Sequence, residues 1–145
     1  MIDTTADCHF PKQERIVSRK QIEMLFGGGD SHSLAAFPLR AVYMIKERAQ
    51  GEPPVQILVS VPKRRFRHAV DRNRVKRQVR EAYRHHKQPL WQSVPDDRQL
   101  LLAFLWLSDS HLPTADIEQR VVRLLSTRVL MMSMTSDESS SASAG

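Results

Sequence analysis

The chain has 145 residues, 41% of them hydrophobic, and carries 22 Lys or Arg against 16 Asp or Glu for a net charge of +6. That length suits one domain with a single core. Its longest apolar run, Leu100–Leu107, has eight residues, far short of the roughly 20 that a membrane span needs, and the one cysteine, Cys8, excludes an internal disulfide.

The first residues lack the basic-then-apolar pattern of a secretory signal, so a cytoplasmic location is expected, with no membrane partner. Residues 1–9 have no periodicity and are expected to be loose. One domain is expected over residues 10–133. The Ser-rich residues 134–145 are polar, of low complexity and expected to be disordered.

The first predicted helix follows Ser18. Ser18 and Gln21 form a capping box, with Val17 and Ile22 placed as a hydrophobic staple. Ile22, Leu25 and Phe26 share a face, and Gly27, Gly28 and Gly29 stop the helix. The triple glycine lacks the Lys-Ser/Thr of a phosphate loop and follows a helix where such a loop follows a strand. Leu39–Ile45 has strand composition, and a short strand near residue 34 can precede it. Val55–Val61 alternates, with Val55, Ile57, Val59 and Val61 on one face. Gly51, Pro53 and Pro54 punctuate the stretch between these two strands, so they are expected to pair as an antiparallel hairpin.

A basic helix is expected over about residues 70–86. Residues 87–99 are expected to be a loop. Leu100–Leu107 has the pattern of a central strand covered on both faces. A last helix is expected from Ala115 to about Met132, capped by Thr114, with Ile117, Val121, Leu124, Leu125, Val129 and Met132 on its apolar face. The expected fold is an α/β (α+β) two-layer sandwich: a small mixed sheet with a hairpin, packed by three helices.

The charge is concentrated. Residues 61–90 hold eleven Lys or Arg and two acids, while residues 1–60 balance at seven each and residues 91–145 hold four cations and seven acids. On the basic helix, Val75, Val79, Ala82, Tyr83 and His86 fall on one arc that packs on the sheet. Arg72, Lys76, Arg80 and Arg84 form an i, i+4 row beside it, next to Asn73 and Arg77. Like charges at that spacing repel, and a solvated face normally mixes signs. A polyanion that neutralises the row removes the repulsion. Lys63, Arg64, Arg65 and Arg67 extend the patch ahead of the helix. Only Asn73 could read an adenine edge, and no second helix precedes this one as in a helix-turn-helix. Structured RNA is therefore expected, not DNA. Arg74 lies off the row, where it is expected to meet a different RNA strand or to pair with Glu81.

Residues 69–81, AVDRNRVKRQVRE, preceded by SVPKRR, resemble the Arg-Asn-Arg helix and the strand end before it in the protein subunit of bacterial ribonuclease P. FPKQERI and IEMLFGGG are similar to that family's N-terminal segment and first helix. The likeness covers about residues 10–130. It implies a protein that assists a catalytic RNA in removing the 5′ leader from precursor tRNA. The RNA subunit and precursor tRNA would be its partners. The chemistry would lie with the RNA and its magnesium ions, none bound by the protein. The resemblance places Arg72, Asn73, Arg74, Lys76 and Arg77 against the RNA subunit, with Lys63 and Arg64 contributing; Arg80 joins them from its place in the helix row. It implies a leader cleft with Phe26 on one aromatic position of the first helix and Ile22 on another, where Phe is common. It also implies a left-handed βαβ crossover, against the general preference.

Two other functions fit parts of the sequence. A protein nuclease needs a shaped carboxylate pair or a His base, and the adjacent pairs Asp96–Asp97 and Asp137–Glu138 and the consecutive His85 and His86 offer neither. No catalytic or metal-ligating residue is expected. A non-catalytic ribosomal-type or chaperone RNA-binding protein fits the composition equally and is separated only by the motif.

Overall fold

The structure is a computed structural model that describes residues 14–16, 18–27, 29 and 31–126. The expected loose N-terminus, the Ser-rich end and the last helix beyond residue 126 lie outside the described residues.

Helix α1 spans Arg19–Gly27. The Ser18 hydroxyl accepts the Gln21 amide at 3.4 Å, which satisfies one of the orphan donors of the first turn. Strands β1 (His32–Ala36) and β2 (Leu39–Glu47) pair antiparallel through the two-residue turn Phe37–Pro38, whose peptide bond is cis. Strand β3 is Val55–Ser60, α2 is Ala69–His86, α3 is Gln88–Ser93, β4 is Arg98–Trp106 and α4 is Thr114–Leu124. Gly29 and Gly51 sit at positive φ, +83° and +88°, where a side chain would be strained.

The sheet order is β1-β2-β4-β3. β2 runs antiparallel to β4 and β3 runs parallel to it. Leu39–Ile45 and Val55–Val61 therefore do not form the expected hairpin, because β4 lies between them. The hairpin is one strand earlier, β1 with β2. Residues 48–54 instead cross the start of β4: Leu100 donates its amide to the Pro54 carbonyl at 2.8 Å, and Gln99 Nε2 donates to the Pro53 carbonyl at 3.0 Å. β4 lies inside the sheet and is buried on both faces. Leu100, Leu102, Phe104 and Trp106 join the core that includes Val75, Val79, Ile117 and Val121 of α2 and α4. Leu101 and Ala103 point the other way, to Leu25 of α1, Ile16 and Met44.

The sandwich is thus the sheet against an α2/α4 layer, with α1 laid across part of the opposite face. Four helices are described where three were expected. The additional one is α3, in the stretch expected to be loop. Pro89 sits in its first turn, where a fixed φ suits a helix start, and Leu90 is fully buried. Six residues are too few to show helical periodicity in a sequence. At α4 the cap position is Pro113 and Thr114 is the first helical residue, whose hydroxyl accepts Gln78 Nε2 at 3.0 Å. Among the described residues no helix is long and apolar enough to cross a membrane.

Candidate nucleic-acid interface

Helix α2 buries Val75, Val79, Ala82 and Tyr83. That fixes its rotation and divides its cations by position. Asn73, Arg74 and Arg77 are exposed; Arg72, Lys76 and Arg80 are half-buried along the flank. Lys63 and Arg64 are exposed in the turn that follows β3, closed by the Arg65 amide donating to the Pro62 carbonyl at 3.0 Å. The turn and the first half of α2 therefore lie together as one surface. Among the described residues, Lys63, Arg64, Arg67, Arg74, Lys76 and Arg77 have no acidic partner.

Arg72 is not simply one more cation of the row. Its Nη1 donates to the Phe66 carbonyl at 2.8 Å and to the Arg67 carbonyl at 3.0 Å. It ties the turn to the helix. Arg84 leaves the row in another way: it pairs with Glu81, which also lies 3.3 Å from His85 Nε2. The expected Arg74–Glu81 pair is absent, since seven residues separate them and Glu81 is engaged one turn on. His86, on the arc expected to pack on the sheet, instead places its Nε2 2.7 Å from Glu118 Oε2 of α4.

Arg80 is influenced by the segment before α1. Arg15 forms a parallel bridge to Ile57 at the free edge of β3, and the Ile16 amide donates to the Ile57 carbonyl at 2.8 Å. The Arg80 guanidinium has its pKa pushed down, first by burial and then by the charge of Arg15. The two like charges thus lie close enough to repel. Sequence spacing held no signal for this neighbour, 65 residues away, because only the edge pairing brings it there. Nearby, Lys87 Nζ pairs with Glu14 at 2.9 Å and lies 4.5 Å from the Trp91 ring centre. Trp91 Nε1 donates to the Tyr83 hydroxyl at 2.8 Å, and burial holds the Tyr83 pKa well above the usual phenol range.

Among the described residues, α1 is the helix packed on the opposite face of the sheet. Ile22 is half-buried there, packed with Met24, Val42 and Leu58 against the small core of Leu25, Met44, Leu101 and Ala103. Phe26 is 45% exposed. It borders a depression of about 280 Å³ lined by Leu25, His32, Ser33, Arg40, Val42 and Leu105 among others. Ile22 and Phe26 are thus on the same helix, but Ile22 faces the core and Phe26 the depression. The polar groups of β1 and β2 at this rim, with Arg40 Nη2 donating to Ser33 Oγ at 3.3 Å, were not singled out in the sequence, because strand pairing alone sets them beside Phe26. Among the described residues no group of three or more His, Cys, Asp or Glu is placed to hold a metal ion.

A family model described as Ribonuclease P matches residues 10–127. The chain is 44% identical over 100 residues to the ribonuclease P protein component of Porphyromonas gingivalis, covering 68% of this chain and 70% of the relative. It is 32% identical over 132 residues to that of Chlorobaculum tepidum, covering 82% and 84%. The fold matches the ribonuclease P protein of Staphylococcus aureus with a TM-score of 0.57 at 19% identity, over 79% of this chain and 94% of that one. It matches the protein from Thermotoga maritima at 0.58 and 18%, over 77% and 94%.

Proposed function

Because the chain belongs to the ribonuclease P protein family, we propose that its basic surface binds the RNA subunit of that enzyme while the sheet face that carries α1 receives the 5′ leader of precursor tRNA. Membership makes it the protein component of a tRNA-processing ribonucleoprotein, not a free-standing ribosomal-type or chaperone RNA binder. In this reading the RNA carries out the hydrolysis with its own magnesium ions, in the cytoplasm, and the protein contributes binding and positioning.

The observation that carries the reading is the single acid-poor surface formed by the turn after β3 and the first half of α2. Asn73, Arg74, Lys76 and Arg77 with Lys63 and Arg64 are the direct contacts, each cation neutralising a phosphate and releasing counterions. Arg72 contributes from the flank while holding the turn, and Arg80 adds its charge beside Arg15. Phe26 offers a ring face for a leader base and Ile22 an apolar floor, which together bind an unpaired strand with little demand on sequence. The protein's cations then substitute for part of the ionic atmosphere the RNA otherwise needs, so its help is greatest at low magnesium.

The test is cleavage of a 5′-extended precursor tRNA at low magnesium by the protein alone, ribonuclease P RNA alone, and both. Cleavage at the mature 5′ end that requires both is the expected result. Cleavage by the protein alone would assign the chemistry to protein residues. Equal cleavage with and without the protein would reduce it to a plain RNA binder.

A further inference from the structure

One loop outside the basic patch is attached to it at three points. The loop joins β4 to α4. Its Asp109 carboxylate accepts Arg65 Nη1 at 3.2 Å. Its Leu112 carbonyl accepts Gln78 Nε2 at 3.4 Å. Between them, His111 Nε2 donates to Asp71 Oδ1 at 3.1 Å, and the His111 ring stacks on Phe66 with centroids 4.5 Å apart and 16° between planes.

The placement of those two partners matters. Phe66 belongs to the turn that carries Lys63, Arg64 and Arg67, and is 8% exposed. Asp71 is the only acid in the first turn of α2, and the cap residue of that helix, His68, makes no side-chain capping bond. The imidazole therefore touches the turn on one side and the uncapped helix start on the other. Arg72 closes the same joint from within through its bonds to the Phe66 and Arg67 carbonyls.

We propose that His111 is a positioning residue for the RNA interface: through Phe66 and Asp71 it fixes the turn at residues 62–68 against the first turn of α2. The inference rests on the RNA-binding reading of that surface. A polyanion gains most from cations whose relative positions are set before it arrives, because ordering them during binding costs affinity. His111 supplies that order from the β4–α4 loop, through its contacts with Phe66 and Asp71.

The test uses the full chain, ribonuclease P RNA, and affinity measured across a salt series, together with amide hydrogen exchange of the free protein. His111→Ala is expected to bind about three- to tenfold more weakly at every salt concentration, with the wild-type salt slope. Exchange should quicken at residues 62–72 and stay unchanged in β4. His111→Phe keeps a ring on Phe66 and fills the same space, so it should fold even where alanine does not. Its affinity should fall between those of wild type and His111→Ala. Wild-type affinity in either variant would overturn the proposal. So would a reduced salt slope, which marks a direct phosphate contact, or faster exchange throughout β4, which marks general destabilisation. Failure of the wild-type chain to bind the RNA would overturn the RNA-binding reading instead, while the exchange measurement judges the joint without RNA.

Discussion

The two halves of the basic segment look alike in sequence and do different work in the fold. From Lys63 to Arg77 there are eight Lys or Arg and one acid, Asp71; from Gln78 to Lys87 there are three and one, Glu81, with His85 and His86 added. In the second group Arg84 pairs with Glu81, His86 with Glu118 and Lys87 with Glu14, while Arg80 lies near Arg15 with no acidic partner among the described residues. Two of those acids come from distant parts of the chain. Among the described residues the first group stays mostly without acidic partners, and where its members are engaged, as Arg72 and Arg65 are, the contact shapes the turn. A run of like charge is thus not one functional unit. Half of it fastens the helix to the rest of the molecule, which keeps the other half steady enough to present.

The strongest way to break that division is to remove what both halves stand on. Val79 is fully buried beneath α2, and Val79→Asp places a carboxylate in that core at a cost of about 5 kcal/mol or more. That is comparable to the whole stability of a small domain, so loss of the cooperative thermal melt is expected. A retained melt would mean the helix is rotated from the phase described. Lys87→Ala tests the fastening half alone. Its pair with Glu14 has side chains 17% and 12% exposed, so truncation leaves a largely buried carboxylate without its ammonium. A loss of about 2 kcal/mol is expected, read as a lower urea midpoint. RNA affinity of the folded protein should keep its wild-type salt slope.

Local features were legible in the sequence where local physics decides them. The capping pair Ser18–Gln21, the buried stripe Val75–Val79–Ala82–Tyr83 and the doubly apolar β4 all follow from spacing. The partner of a strand does not. Val55–Ser60 alternates equally well as a hairpin arm or as a parallel neighbour of β4, and only the packing of α2 and α4 behind β4 selects the second. The same limit applies to the candidate site. Helix phase distinguishes exposed Asn73, Arg74 and Arg77 from half-buried Lys76, but nothing along the chain places Arg15 beside Arg80, Arg72 on the turn carbonyls, or Glu14 on Lys87. Those are contacts between segments, made by the sheet edge and the loops.

The division sharpens further with paired substitutions in the presenting half. Arg74 and Arg77 are both exposed and have no acidic partner among the described residues. Replacing both with Ala should lower the salt slope of RNA binding by about 1.4–1.8, at 0.7–0.9 per phosphate contact. Affinity near 0.15 M salt should fall by about tenfold or more, with the thermal midpoint unchanged. A slope that does not move would remove these two from the contact surface.

The smallest effect asks whether Arg84, at the end of the row, stays out of the RNA contact. Arg84 is either out of reach or merely neutralised by Glu81, and these differ in what Glu81→Gln does. The substitution removes the acid that engages both Arg84 and His85. In the free protein it costs only a few tenths of a kcal/mol, as expected for an i, i+3 pair near the surface. If neutralisation is the reason, loss of the Glu81 charge leaves this end of α2 one unit more positive toward the polyanion. The salt slope should then rise by about 0.7–0.9, and affinity should improve by a few-fold. Arg84→Ala in the wild-type background should do the opposite, because it leaves the Glu81 carboxylate without its guanidinium beside the polyanion. We expect the rise, since Arg84 shares the solvent side of α2 with Arg77, two turns from it. An unchanged slope in both variants would instead make the boundary one of distance, with the RNA surface ending near Arg77.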